Sequence, residues 1–231
     1  MEFDRLTVSL LIARPDWRPI DQASDTAEQD AHLSHLADLH QSGELLAVGP
    51  VLGPPGDYRG LGIYRSDTER ARAIGEEDPA VRAGRFSQLA MPWLIPAGAI
   101  GFSTSRVPRS VAEARSKIEF DRLTVALLIK GPNFDQLEND DGGLQDAHMA
   151  HLADLHEAGH LVAAGPLLDQ TYRGLSLLRV EPARALELKT QDAAVRAGRY
   201  RVEAYPWLVP IGAMTFSRTR FPRSMAETAN P

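Results

Sequence analysis

The segment FDRLTVSLLI, beginning at Phe3, returns as FDRLTVALLI at Phe120, and the blocks that follow return with it in the same order. QDAHLSHLADLH at Gln29 reappears as QDAHMAHLADLH at Gln145, AVGPVL at Ala47 as AAGPLL at Ala163, and YRGL at Tyr58 and again at Tyr172. AVRAGR, PWLIP/PWLVP and PRSVAE/PRSMAE complete the series, while the offset narrows only from 117 residues at Phe3/Phe120 to 114 at Tyr58/Tyr172. One unit of about 105–115 residues is therefore duplicated, and two copies are too few to stack a solenoid or close a propeller. The reading is two tandem domains, 1–113 and 119–231, with 114–118 as linker.

Each copy reads as mixed α and β. Leu6 to Ile12 is an apolar run of strand length, and a polar loop from Arg14 to Thr26 follows. From Ala27 to Ser42 the period becomes helical, with His32, Leu33, Leu36 and Leu39 on one face and Gly43 where a C-cap belongs. Leu45–Val51 and Tyr58–Tyr64 read as strands around a GPPGD turn, Asp67–Glu76 as a second helix, Asp78–Gly84 as a turn or short helix, and Arg85–Ile95 as a fourth strand. An apolar stretch (Ala99–Phe102, Ala213–Phe216) and a short helix with a Ser-x-x-Glu box (Ser110/Glu113, Ser224/Glu227) end each copy. The order β-α-β-β-α-β is the ferredoxin-like arrangement, which places both helices on one face of an antiparallel sheet and leaves the other face to be covered. The predicted fold class is α+β: two tandem ferredoxin-like domains whose sheets pack into an intrachain pseudo-dimeric α+β barrel. Pairing between repeats of different chains, or a further homodimer, gives the same local contacts.

Composition narrows the function. With 25 basic and 31 acidic side chains the net charge is -6, which disfavours nucleic acid as a partner. Cysteine is absent, which removes thiolate chemistry and cysteine metal sites. No apolar run approaches the roughly 20 residues of a membrane span, so no membrane partner is expected and the cytoplasm is the expected compartment.

Among side chains present in both copies, His32 and His148 stand out, on the sheet-facing side of the first helix, where a partly desolvated imidazole suits general acid–base work. The alternative is a core histidine tying helix to sheet. Asp78 and Asp192 precede AVRAGR, where a carboxylate caps a helix or reaches a histidine ring N–H and fixes its tautomer. Arg59 and Arg173 begin a strand and offer a cation to an acidic substrate or to solvent; Gly49 and Gly165 end a strand or admit a ligand to the backbone. His35 and His151 are expected to be solvated, and His40 and His156 to sit favourably at the negative end of the helix dipole. The H-x-x-H pairs lack a carboxylate cluster of matching spacing, so no metal ligand and no cofactor is assigned.

Taken together, LTVSLLI, AHLSHLADLHQSG, ELLAVGPVL, EEDPAVRAGR and MPWLIP, with their counterparts from Leu123 to Pro210, resemble the YCII-related (YciI-like) family. That resemblance implies a ferredoxin-like dimeric α+β barrel whose site is a first-helix histidine with an aspartate nearby, here His32 with Asp78 and His148 with Asp192. It implies proton-transfer chemistry: one relative is a dehydrochlorinase of a chlorinated hydroxyquinol, and muconolactone isomerase-type enzymes share the barrel. The expected function is a cofactor-independent lyase or isomerase acting on a small oxygenated, aromatic or lactone compound. The alternative is a non-catalytic small-molecule binder or structural protein. The second copy has QDAAV where the first has EDPAV, so it lacks the proline that would fix the turn at Asp192. The arginines of FSTSRVPRSVAE and FSRTRFPRSMAE are expected to pack against the neighbouring repeat.

Overall fold

The computed structural model describes residues 1–53, 57–104, 106–116, 118–137 and 143–229; most of the expected GPPGD turn, and Lys117 of the expected linker, lie outside them. The first repeat runs β1 (Phe3–Ala13), α1 (Gln22–Ser42), β2 (Leu45–Pro50), β3 (Tyr58–Tyr64), α2 (Thr68–Glu77), α3 (Pro79–Arg82), β4 (Phe86–Pro96), β5 (Ile100–Phe102) and α4 (Val111–Ser116). The second follows with β6 (Phe120–Lys130), α5 (Gly143–Glu157), β7 (Leu161–Pro166), β8 (Tyr172–Leu178), α6 (Pro182–Lys189), α7 (Ala193–Arg196), β9 (Tyr200–Pro210), β10 (Met214–Phe216) and α8 (Met225–Ala229), with a 3-10 turn at Asp135–Leu137 before α5.

The two antiparallel sheets have the orders β2-β3-β1-β4 and β7-β8-β6-β9, the ferredoxin-like order in both halves. Strand alternation splits each central strand between two environments. Leu6, Val8 and Leu10 of β1 join Leu123, Val125 and Leu127 of β6 in one core between the sheets, around Trp93, Trp207 and Tyr205, none of them exposed. The other face of each sheet meets its own helices: Leu36, Ala71 and Ile74 in the first repeat, and Ala153, Ala185 and Leu188 in the second. Each repeat thus covers the sheet face that the other would expose, and the chain is a pseudo-dimeric α+β barrel.

The joint between sheets is backbone to backbone. Val51 bridges Trp207 and Trp93 bridges Leu167; the Leu52 N–H donates to the Pro206 carbonyl and Leu168 N–H to Pro92. β5 and β10 pair across the repeats, a pairing the apolar stretches did not announce. The joint explains Gly49 and Gly165. A β-carbon there would lie 1.7 Å from the Leu208 carbonyl oxygen and 1.6 Å from that of Leu94, so the glycines admit the neighbouring strand.

Helix α1 begins at Gln22, not Ala27. Asp21 accepts from Ser24 N–H at 2.8 Å while the Ser24 hydroxyl reaches back to the Asp21 N–H, and this capping starts the helix in a polar stretch that has no apolar stripe to signal it. Gly43 closes the helix in the left-handed region at φ 79°. The arginines of the terminal segments bind their own repeat: Arg109 pairs with Asp38 of α1 at 2.7 Å, and Arg223 with Asp154 of α5 at 2.8 Å. The expected packing on the neighbouring repeat is overturned because acidic residues on the exposed side of each first helix lie closer. In both terminal boxes the serine hydroxyl accepts from the glutamate N–H, while the carboxylate takes an N–H one residue before the serine, that of Arg109 or Arg223.

Candidate functional site

Each first helix lies over its sheet so that its histidine meets the turn between the second and third helices. His32 Nδ1 stands 2.7 and 2.9 Å from the two Asp78 carboxylate oxygens, and His148 Nδ1 stands 2.5 Å from Asp192 Oδ2. The acids are inside: side-chain exposure is 14% for His32 and 4% for Asp78, 8% for His148 and 0% for Asp192. An ionised carboxylate can only accept, so Nδ1 carries a proton and donates it, and in the neutral imidazole the lone pair is then on Nε2. Neither Nε2 has a hydrogen-bond partner among the described residues.

Asp78 and Asp192 also cap the short helices that follow them. Their Oδ1 atoms accept from Ala80 N–H at 2.8 Å and Ala194 N–H at 2.9 Å. Cap and histidine partner are thus one carboxylate: Asp192 gives Oδ2 to His148 and Oδ1 to the helix, whereas Asp78 faces His32 with both oxygens while Oδ1 also caps, and the double duty fixes each position. Losing the proline in the second repeat changes nothing here: Asp78 sits at φ -61°, ψ 125° and Asp192 at φ -59°, ψ 130°. Burial pushes the Asp192 carboxyl up, but the His148 hydrogen bond, the nearby positive charge and Ala194 N–H outweigh it and hold it below the usual carboxylate range.

Each of the two histidines lines a cavity between helix and sheet. The first, about 270 Å³, is lined by His32, Asp78, Tyr64 and Phe86 and closed by Phe120 and Pro210 of the other repeat. The second, about 460 Å³, is lined by His148, Arg173, Arg199 and Tyr200 and closed by Phe3, Leu94 and Pro96 of the first repeat. The imidazoles tilt against an aromatic wall, His32 on Phe86 at 6.0 Å and His148 on Tyr200 at 5.9 Å between ring centres. Gly49, Arg59, Gly165 and Arg173 also line these cavities, so the structure brings the expected binding residues of each repeat to the same hollow as its histidine.

Of the other histidines, His40 and His156 lie in the last helical turn as expected, whereas His35 and His151 depart from expectation. His40 and His156 donate through Nδ1 to the carbonyls of Leu45 and Leu161, at 2.8 and 2.9 Å, latching helix to following strand. His151 is half-buried and donates through Nε2 to the Leu188 carbonyl at 3.1 Å, and burial lowers its pKa; His35 Nε2 is buried with no partner among the described residues. Both were expected in solvent; His151 is instead held against the end of α6, and the His35 Nε2 is enclosed. Among the described residues no three metal-binding side chains converge.

Sequence reasoning missed Lys189. It lies at the end of α6, fully buried, its Nζ without a partner among the described residues, and burial lowers its pKa to about 8 against the opposing pull of the Asp192 carboxylate. Its counterpart Gly75 leaves that space to Gln88, whose amide donates to Ser9 Oγ and the Ala71 carbonyl. A lysine following Ala185 and Leu188 on the buried face of a helix was the available signal. Also missed were Tyr64, whose hydroxyl pKa is raised by burial and by the Asp78 charge, and the Arg85/Arg199 pair beside the aromatic wall.

Residues 9–93, which contain His32 and Asp78, match the YCII-related domain. No curated protein matches the chain by sequence. Among solved structures the chain is similar to a candidate chlorite dismutase, at 13% identity and TM-score 0.52, over 90% of this chain and 94% of that one. It is also similar to a heme-binding protein from Thermus thermophilus (15% identity, 89% of each chain, TM-score 0.49) and a siroheme decarboxylase (8% identity, 90% of this chain and 71% of that one, TM-score 0.42). The first likeness is one of fold, and it spans both repeats within a single chain.

Proposed function

We propose, on the premise that this chain carries a YCII-related domain, that its two His–Asp pairs are proton-transfer sites and that the protein is a lyase or isomerase of a small oxygenated, aromatic or lactone compound. The observation that carries this reading is the recurrence, in both repeats, of an imidazole at a cavity wall with Nδ1 held by a buried, N–H-anchored carboxylate. In that state Nε2 is a base aimed away from its carboxylate. It takes a proton from a substrate carbon next to a carbonyl or enol, and the electron pair moves toward that oxygen. The resulting imidazolium is stabilised by Asp78 or Asp192. Returning the proton to a different carbon completes an isomerisation; departure of a β-substituent such as chloride with its electron pair completes an elimination. The pair supplies this acid–base chemistry from the chain's own side chains, which is why the reading is cofactor-independent.

A His32→Ala/His148→Ala double variant is expected to stay folded, because His40 and His156 keep the helix-to-strand latches. It is expected to lose about 10²–10⁴-fold in turnover of a responsive compound drawn from a panel of enolisable, lactone and chlorinated phenolic substrates. Unchanged turnover in the folded variant would leave the pairs as helix caps and overturn the His–Asp mechanism, while binding without turnover of any panel compound would favour the non-catalytic small-molecule binder.

A further inference from the structure

The two cavities present their arginines differently. In the first, Arg85 is neutralised by Asp25 at 2.6 Å and Glu28 at 3.4 Å, with its guanidinium 4.5 Å above the Trp17 ring. Arg59 donates to the Tyr58 carbonyl and has Asp57 at 4.0 Å. In the second, the counterpart Arg199 has no carboxylate partner among the described residues, and its Nε is buried and unpaired among them. Leu144 stands where Glu28 would be; Asp141, the counterpart of Asp25, lies outside the described residues. Arg173 likewise has a buried, unpaired Nε, and among the described residues its guanidinium donates only to the Asp169 carbonyl. Both guanidinium groups flank the buried Phe134 ring, at 5.2 and 5.9 Å from its centre, and Lys130 Nζ lies 4.4 Å from the same point. Among the described residues, the one carboxylate paired with this group is Asp135, 3.8 Å from Lys130 and largely in solvent.

Buried guanidinium N–H groups left without acceptors are costly unless an anion completes them, and a carboxylate matches their fork. Arg173 and Arg199 line the same hollow as His148, whose remaining wall includes Met149, Leu175 and Tyr200. We propose that the second cavity is a carboxylate site, taking a flat, largely apolar acid whose carboxylate is held by Arg173 and Arg199 and whose body lies against Tyr200 beside His148, while the first cavity prefers uncharged compounds. This rests on reading the cavities as ligand sites and assigns the second its substrate class.

The test is NMR titration of the full chain with benzoate and with benzamide, its uncharged isostere, following the backbone amides of Tyr200 and Phe86. Benzoate is expected to shift Tyr200 with at least about tenfold tighter binding than benzamide, and to weaken as salt is raised. Arg199→Gln and Arg173→Gln are expected to remove that preference, while Arg199→Lys keeps part of it and Arg85→Gln leaves it unchanged. Equal binding of the two probes at Tyr200, or an equal loss in Arg85→Gln, would overturn the proposal. The benzoate-to-benzamide ratio of the unaltered protein decides the matter even if a glutamine variant fails to fold. Binding here needs no turnover, so a failed carboxylate preference with histidine-dependent turnover sinks only this proposal, and the converse sinks only the proton-transfer reading.

Discussion

The first and second repeats agree where the chain must close a barrel and differ around the two cavities. At the joint, β2 lies on β9 and β7 on β4 with the same crossing, the same tryptophan and the same glycine. Around the His–Asp pairs the first repeat places Gln88, Ser9 and Tyr64 where the second places Val202, Ala126 and Leu178, and the second buries Lys189 where the first has Gly75. Duplication supplied two equal frames. Backbone packing leaves little room for change at the joint, whereas a cavity wall exchanges side chains at modest cost. The His–Asp pairs belong to the geometry both repeats share, even though they sit among the residues that diverged.

The largest expected effect lies at the joint and is symmetric. Gly49→Ala and Gly165→Ala each drive a methyl group into a backbone carbonyl of the facing strand, and each is expected to cost about 3 kcal/mol or more in thermal or urea unfolding. A large loss at one position with none at the other would break the equivalence of the two joints.

A smaller, one-sided effect belongs to Lys189. Its folded pKa is near 8 against an ordinary value of 10.5, so below pH 8 the chain buries a charge at full cost, and the penalty fades as the folded state releases its proton between pH 8 and 10.5. Lys189→Met is therefore expected to stabilise the protein on the order of 2–4 kcal/mol at pH 7, with the gain shrinking toward pH 10.5. Placing the same charge in the first repeat by Gly75→Lys should destabilise it, since Gln88 already fills that space. Denaturation curves across pH read both, and a pH-independent gain for Lys189→Met would show that packing, not charge, is responsible.

How far the sequence could lead followed from where each signal was local. The repeat and the strand–helix order were legible because periodicity and duplicated motifs mark them directly, and the same duplication singled out His32, His148, Asp78 and Asp192, while their pairing followed from the resemblance to the YCII-related family. The start of α1 was not, because its signal is a reciprocal cap at Asp21 and Ser24 rather than an apolar stripe. The reason for Gly49 was hidden because the strand it admits is Leu208's, more than 150 positions away, and composition carries no trace of that approach. The same distance concealed the closure of each cavity by the other repeat, Phe120 over the first and Phe3 over the second. The roles of Asp78 and Asp192 looked like alternatives in the sequence and prove to be simultaneous, since each carboxylate accepts from its histidine and from a helix N–H at once.

The central claim, that His32 and His148 each hold an Nδ1 proton against a buried carboxylate, so that Nε2 is the basic nitrogen of the neutral ring, is read most directly by long-range ¹H–¹⁵N NMR of the histidine rings in the full chain above the carboxylate range. The account predicts the Nδ1–H form for both residues, each with a protected Nδ1 proton that is lost in Asp78→Ala and Asp192→Ala respectively. Nε2–H tautomers at His32 and His148, or Nδ1 protons unaffected by removing the carboxylates, would contradict it.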